Sequence, residues 1–478
     1  MAVVTDVRLG TAEGRWVVAA TVLGSGMALL DSTVVNIALP AIGDEFGAGL
    51  AGLQWTIDGY LLTLAALILL GGSLGDRFGR RLVFLIGTVW FALASLLCAV
   101  APTIEVLVAS RALQGVGAAL LTPVSLAILQ TTLAPEDRGR GIAAWSGLVG
   151  VATAVGPALG GWLIGAGSWR WIFALNLPVA LAVVVITLRY VPESRDEAAA
   201  GQRPDLAGAL LGAVSLAALT YGFIRWGEHG ADGPVVASLV AGVLGLAGFV
   251  LLEHRLPHAM LPPGLFANRR FTGANLVTLG LYAALSASLF LLVVRLQNEL
   301  GYSPLAAGFA TLPITLLMLA GSDLAGRLAA RIGPRLPLTV GPVVAGVGLA
   351  MFARIGPGAD YWTLVLPGVL VFGLGITLVV APLTATVLAS ADDEVAGVAS
   401  GVNNAVARTA GLLGVAVVPL LAGGASGSAF PVAMLISAGL AVASGVVGWA
   451  TLAGPHRIAE PTLPQYSCGA GAPQLASR

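Results

Sequence analysis

No lysine occurs in this chain; all 24 basic residues are arginine. A Walker-type phosphate loop needs a lysine to reach the β- and γ-phosphates, so an ordinary P-loop is excluded. A lysine Schiff base is excluded on the same ground. Abundant Ala and Gly point to GC-rich coding as the origin of the absence, and the chemical exclusion holds regardless. Charge of either sign is scarce. Charged residues make up 10% of the 478 positions, against about a quarter in soluble globular chains. Acidic residues also number 24, so the net charge is zero. No basic excess exists to neutralise phosphates, which argues against nucleic-acid partners. The two cysteines, Cys98 in an apolar run and Cys468 in a polar tail, imply no disulfide framework. The histidines His229, His254, His258 and His456 fall in loops or the tail, and Pro257 interrupts the helical spacing of His254 and His258. No metal site is expected.

Apolar residues fill the space that charge leaves. They form 57% of the chain, with a mean hydropathy of +0.92. Length alone suggests roughly three soluble domains, but this composition describes an integral membrane protein. A spanning helix needs about 20 mostly apolar residues. Fourteen such segments are predicted, at 16–40, 52–75, 82–100, 104–126, 141–163, 172–190, 205–224, 234–252, 272–294, 304–326, 336–354, 361–382, 398–420 and 429–451. The first is too long for a signal-peptide core, and no small-residue cleavage site follows it. With the N-terminus inside, 18 of the 24 arginines fall on the inner side. That bias predicts that both termini are cytoplasmic. The longest connection, the inner loop from Glu253 to Phe271, is too short to fold alone. Mechanism must therefore sit in the helices and short loops.

A weak repeat divides the chain. Gly72-Ser-Leu-Gly-Asp-Arg-Phe-Gly-Arg-Arg81 follows span two, and Gly326-Arg-Leu-Ala-Ala-Arg-Ile-Gly-Pro-Arg335 follows span ten. Ala330 stands where the first copy has Asp76. Internal repeats of this kind build many transporters. The expected fold is all-α and membrane-integral, with two six-helix bundles and two inserted helices. The expected divisions are 1–195, 205–252, 253–455 and a cytoplasmic tail at 456–478.

Ionisable residues at membrane depth are costly and are functional candidates by default. Asp31 in span one, Asp58 in span two and Arg111 in span four are predicted to lie roughly 9–14 Å below the outer surface, at 1.5 Å rise per residue. Thr21, Ser25, Ser32 and Asn36 form a polar stripe within about 60° on span one, and Asp31 lies roughly 80° to its side. Asp31 therefore borders a watery cavity or faces a neighbouring helix. A buried carboxylate whose distance from an arginine changes can load and unload a proton. An alternative is a purely structural Asp31–Arg111 ion pair. Arg408 lies mid-span in the second half, lining the cavity or capping a structural network. Asp323 and Glu105 read as solvated or rim residues. In span five, Gly150 to Gly161 surrounds Pro157 with small residues, which suits a bent, tightly packed helix. Asp76 in the short inner turn is not explained by topology-setting charge alone.

These segments together resemble the fourteen-helix drug:proton antiporters of the major facilitator superfamily. Leu30-Asp-Ser-Thr-Val-Val-Asn-Ile-Ala-Leu-Pro40 is similar to the family's helix-one motif, Gly72–Arg81 to its inner-loop signature, and Leu107–Gly117 to its helix-four motif. Gly156-Pro157-Ala-Leu-Gly160-Gly161 is similar to its helix-five antiporter motif, and Trp169-Arg-Trp-Ile-Phe-Ala-Leu-Asn176-Leu-Pro178 is also familiar from it. The resemblance implies export driven by proton influx through alternating access. It implies proton coupling at Asp31 and Arg111, and a substrate or coupling cavity with Asp58, Asn36, Gln114 and Arg408. It implies a conformational latch of Gly72, Asp76, Arg77, Gly79 and Arg81, and a bend in helix five at Gly156, Pro157, Gly160 and Gly161. Ala152 departs from the motif, which often has Gly there, and Arg295 stands where the family often has an aromatic residue.

The implied partners are a small-molecule substrate, protons and the lipid bilayer, with no ATP, nucleic acid, metal or cofactor. The location implied is the cytoplasmic membrane. An exporter dedicated to one natural product is the alternative. A sensor would need a signalling domain or long tail. An enzyme would need a nucleophile–base pair or metal cluster in the spans, and neither is present.

Overall fold

The computed structural model describes residues 7–196, 204–256, 259–391, 395–423 and 429–452. Arg203, His258, Cys468, His456, Arg457 and Arg478, with all of the expected tail at 456–478, lie outside these residues.

The first half contains α1 (Ala12–Phe46), α2 (Leu50–Phe78), α3 (Arg80–Ala99), α4 (Ile104–Thr132), α5 (Pro135–Ala166), the short α6 (Arg170–Ala174) and α7 (Asn176–Tyr190). Two helices follow, α8 (Leu206–His229) and α9 (Gly233–Arg255). The second half contains α10 (Arg269–Asn298), α11 (Pro304–Ile332), α12 (Pro337–Phe352), α13 (Leu366–Leu388), α14 (Ala396–Leu421) and α15 (Ala429–Thr451). Apolar length makes these segments helical, because lipid leaves backbone groups no other partner. Polar caps set their starts. Thr11, Thr103, Asp205, Asp232, Asn268 and Ser303 each accept a backbone N–H of the following turn, as N-caps do.

Thirteen described helical segments are long and apolar enough to span a membrane, α6 and α7 counting as one. The fourteenth expected span is α12, which has 16 residues and reaches about 24 Å at 1.5 Å per residue. The expected boundaries run short elsewhere: α1 and α5 extend well beyond 16–40 and 141–163 because charged and capping residues continue the helix into the interface.

Two cores form, the first drawing mainly on the first half with Phe290, Leu412 and Val415 of the second. One gathers Val34, Tyr60, Phe84, Phe91, Leu121 and Phe173; the other gathers Phe271, Leu349, Phe352, Phe372 and Val379. The halves meet along two seams, α5 against α11 and α2 against α14. The inserted α8 packs on the second seam, touching both α2 and α14, while α9 packs chiefly on α8 and stays largely exposed along its length. At the α8–α9 turn, Arg225 Nη2 donates to Asp232 Oδ2 at 2.8 Å. This hydrogen bond holds the Asp232 carboxyl below its usual range.

Candidate functional site

Asp31 and Arg111 meet inside the first half. Arg111 Nη1 donates to Asp31 Oδ2 at 2.5 Å, and both side chains are 1% exposed. The other carboxylate oxygen, Oδ1, accepts Gln114 Nε2 at 2.9 Å and Asn176 Nδ2 at 3.0 Å. Ser95 Oγ joins the two amides, at 2.8 Å from Gln114 and 3.2 Å from Asn176. Arg111 also donates through Nη1 to Gln114 Oε1 at 2.5 Å and through Nε to the Thr56 carbonyl at 3.1 Å. Its guanidinium lies over the Tyr60 ring at 4.4 Å and near the Phe173 ring at 5.7 Å. Six helices thus converge on one carboxylate. All three side chains that reach it are donors, the pattern that satisfies a charged carboxyl.

The elements place these groups for local reasons. Arg111 and Gln114 are one turn apart on α4, so they present one face. A break at Leu175 separates α6 from α7 and puts Asn176 at the start of α7, one residue from Phe173's helix. Tyr60 Oη donates to the Ala28 carbonyl at 3.1 Å, which fixes α2 against α1. Asp31 faces these helices, which resolves the alternative left by its angle. Of the polar stripe on α1, Thr21 and Ser25 are buried, with Ser25 bonded to Ser125. Asn36 is half-buried and donates to the Ser32 carbonyl at 3.2 Å.

Of the expected cavity residues, Gln114 hydrogen-bonds to Asp31 and Arg111, and Asp58, Asn36 and Arg408 do not. Gln114 belongs to the Asp31 network. Asp58 is fully buried, on the α2 face that carries Gln54 and Leu61 toward the second half. Gln54 Nε2 donates to the Val415 carbonyl at 2.6 Å, and Leu61 lies against Gly411. Neither Asp58 oxygen has a hydrogen-bond partner. Arg408 is half-buried in α14 with its Nε unpartnered.

The inner turn is built differently from the expected latch. Asp76 pairs with Arg80, which donates from Nη2 at 2.7 Å, and not with Arg77 or Arg81. Both ends of the pair lie on one short turn, so spacing favours it. Arg77 covers the Phe78 ring at 5.0 Å. Arg81 Nη2 donates to the Leu188 carbonyl at 2.8 Å, tying α3 to α7. The segment after α7 returns the contact: Glu193 accepts Arg81 N at 3.0 Å and Leu82 N at 3.1 Å. Asp196 N donates to the Asp76 carbonyl oxygen at 2.8 Å. Gly79 has φ 116° and Gly333, its counterpart in the repeat, φ 88°, a region that side chains with a Cβ avoid. The repeat extends to function of position. Arg335 donates from Nε to the Trp449 carbonyl at 3.1 Å, so both copies end in an arginine that clamps the last helix of their half. Gly72 faces Pro123 of α4.

Helix α5 forms a seam on both faces. A methyl at Gly160 would come 2.6 Å from Val34 Cγ1, and one at Gly161 2.5 Å from the Pro304 carbonyl. Gly156 abuts Thr33, and Gly308 of α11 abuts the Pro157 carbonyl. Ala152 faces Gly26 of α1, where an added Cβ would stand 3.4 Å from the Ala152 methyl. Arg295 is 5% exposed, pairs with Glu299 and donates to the Ile355 carbonyl at 3.3 Å. It is an internal tie of the second half, not a group snorkelling to the interface. Asp323 pairs with Arg327 at 2.5 Å on an exposed surface.

Sequence reasoning gave no role to Ser95, Thr56, Tyr60, Phe173, Asn176, Arg80 or Glu193. Asn176, a lone amide in an apolar run, carried a signal; Ser95 and Thr56 did not.

Comparison with known proteins agrees with this architecture. Residues 21–415 match the model of the Major Facilitator Superfamily. The chain is 39% identical to the puromycin resistance protein of Streptomyces alboniger over 84% of this chain and 80% of that protein. It is 36% identical to the methylenomycin A resistance protein of Streptomyces coelicolor, over 91% and 92%. It is 36% identical to the multidrug resistance protein Stp of Mycobacterium tuberculosis, over 83% and 74%. Among solved structures, the xylose transporter of E. coli superposes with a TM-score of 0.63 at 16% identity, covering 92% of this chain and 99% of that one. A peptide transporter superposes at 0.67 and 14% identity, covering 94% and 96%. The chain belongs to the major facilitator superfamily.

Proposed function

We propose that this protein exports amphipathic or cationic small molecules, drugs among them, in exchange for protons, by alternating access. The observation that carries this reading is the buried Asp31 carboxylate with Arg111, Gln114 and Asn176 as donors. A proton on Asp31 removes the charge that Arg111 answers. The guanidinium is then left buried between Tyr60 and Phe173 with an uncompensated charge, which costs several kcal/mol. Six helices repack around that change, so protonation biases the position of the whole half. Asp58, buried without a donor, is a second candidate carrier, on the seam between the halves. The inner turn with Asp76, Arg77 and Arg81 holds to its own half here; in the opposite state it engages the second half as a latch.

The bundles that move are 1–195 and 253–455, with 205–252 inserted between them and 456–478 as a tail. Both termini face the cytoplasm, and the protein lies in the cytoplasmic membrane. It is a transporter and not an enzyme. The proton gradient supplies the energy, with no cofactor, metal, ATP or nucleic acid. A second reading, export of one natural product, is favoured by relatives named for resistance to puromycin or methylenomycin A alone.

The test uses inverted vesicles that carry a pH-sensitive dye. Adding a cationic drug to energised vesicles with the protein should discharge the proton gradient, and vesicles without it should hold theirs. No drug-dependent discharge across a panel of cationic drugs sinks the antiport reading. A growth-inhibition panel in a pump-deficient host separates the two substrate readings: protection against many compounds supports the first, and against one supports the second.

A further inference from the structure

One arginine at membrane depth has no partner. Arg408 lies midway along α14, roughly 18–20 Å from either end at 1.5 Å per residue. It is half-buried and, among the described residues, makes no hydrogen bond and no ion pair. A charge at that depth is costly unless it faces a partner or a watery cavity.

The helix face on which Arg408 stands shows where it points. Gly401 and Val415 of α14 meet Leu69 and Gln54 of α2. Asn403 and Gly414 meet Asn275 and Ala283 of α10. At 3.6 residues per turn, Arg408 falls within about 20° of the residues that meet α2. Asn404 and Gly411 fall about 40–60° from Arg408, on the side of α10. Val402, Thr409 and Leu413 turn the other way, into a flank cavity of about 360 Å³ beside α8 and α9. Arg408 and Asn404 therefore face the interior between the halves.

The polar groups around Arg408 can all donate. Asn404 is exposed, and Tyr282 and Ser286 of α10 are half-buried. None of these three side chains is hydrogen-bonded among the described residues. A methyl at Gly411 would stand 2.8 Å from Ser286 Oγ, so that hydroxyl lies about one turn along from Arg408. Tyr282, one turn before Ser286, is about level with Arg408, whose charge is felt at the Tyr282 and Tyr60 hydroxyls. Arg408 has no carboxylate among the described residues: Asp31 belongs to Arg111, and the Asp58 oxygens accept no hydrogen bond.

We propose that this face of the second half binds an ionised oxygen acid on the exported molecule, a carboxylate or an enolate. Arg408 is its counter-ion, and Tyr282, Ser286 and Asn404 are further donors. A guanidinium offers a fork of N–H groups that fits two oxygens, and the acid removes the cost of an unpaired charge. Tyr60, whose ring lies against Arg111, stands between this site and the Asp31 pair. The inference rests on the reading of the protein as an exporter and adds one chemical preference to it. An amine elsewhere on the same molecule stays compatible.

The test is equilibrium binding of fluorescent probes to the full-length protein in phosphatidylcholine nanodiscs, with no proton gradient and empty discs as the blank. Dansylglycine, dansylglycinamide and monodansylcadaverine share a ring system and differ in carrying an acid, an amide or an amine. The acid should bind about tenfold tighter than the amide, the weight of one charge-assisted hydrogen bond. Arg408→Gln should remove that preference and leave amide and amine binding as they were, while Arg408→Lys should keep part of it. Tyr282→Phe should weaken binding of the acid alone. Discs containing phosphatidylglycerol should bind the acid equally well; its loss there would assign Arg408 to a lipid headgroup and overturn the proposal. Equal binding of acid and amide, or no binding of the acid, overturns it. An equal loss of all three probes in Arg408→Gln makes the arginine structural and overturns it too. If the variants fold poorly, the preference of the unaltered protein for acid over amide in the two kinds of disc decides alone. Failure here leaves proton-coupled export standing, because cationic drugs without an acid still discharge the gradient.

Discussion

At Asp31 every contact is a donor, and at Arg111 every contact is an acceptor or an aromatic face. That reciprocity is why neither residue can be replaced alone. Arg111→Ala leaves a buried carboxylate with two amide donors, and is expected to cost about 3–5 kcal/mol of stability, read as a lower thermal midpoint in detergent. Asn176→Ala removes one donor from Asp31 and one partner from Ser95, and is expected to cost about 1–3 kcal/mol by the same measurement. A midpoint unchanged by either would mean that the network carries no load. The sequence exposed Asp31 and Arg111 because charge is rare in apolar runs and their depths matched. It did not expose Ser95, because hydroxyls in spans usually bond their own helix, as Thr88 does to the Phe84 carbonyl, or Thr56, which joins the network through its backbone carbonyl. The partner of Asp76 was hidden for a related reason. Three arginines lie within five residues of it, and only backbone geometry selects Arg80.

Two elements turn sequence signatures into mechanics. The inner turn needs Gly79 at φ 116°. Gly79→Ala would combine backbone strain of about 1 kcal/mol or more with a methyl 2.6 Å from Glu193 Oε1. It should loosen the 191–196 segment from α3, seen as faster proteolysis there than in the unaltered protein. Helix α5 is a seam because its glycines admit α1 on one face and α11 on the other. Gly161→Leu should pry the outer ends of α5 and α11 apart. A cysteine at Asn36, in a cysteine-free background, should then react faster with a membrane-impermeant thiol reagent; an unchanged rate would place the seal elsewhere. The glycine motif was legible as close packing, but its partner was not, since nothing local names α11. The break at Leu175 was equally hidden: the run 172–190 reads as one continuous apolar helix.

For the whole molecule, the all-helical class and the approximate span count were legible because lipid admits few spanning structures. The seams were not, because they depend on contacts between segments hundreds of residues apart. Polar contacts between the halves include Gln54 to the Val415 carbonyl at 2.6 Å and Gln297 to the Ile37 carbonyl at 2.9 Å, both toward the helix ends opposite the Gly72–Arg81 turn, which engages its own half. The proposal that Asp31 couples protons to alternating access has one direct test. In inverted vesicles with an imposed proton gradient, the unaltered protein should accumulate a cationic drug, and Asp31→Asn should bind the drug but accumulate none. Accumulation by Asp31→Asn at the full rate would contradict it.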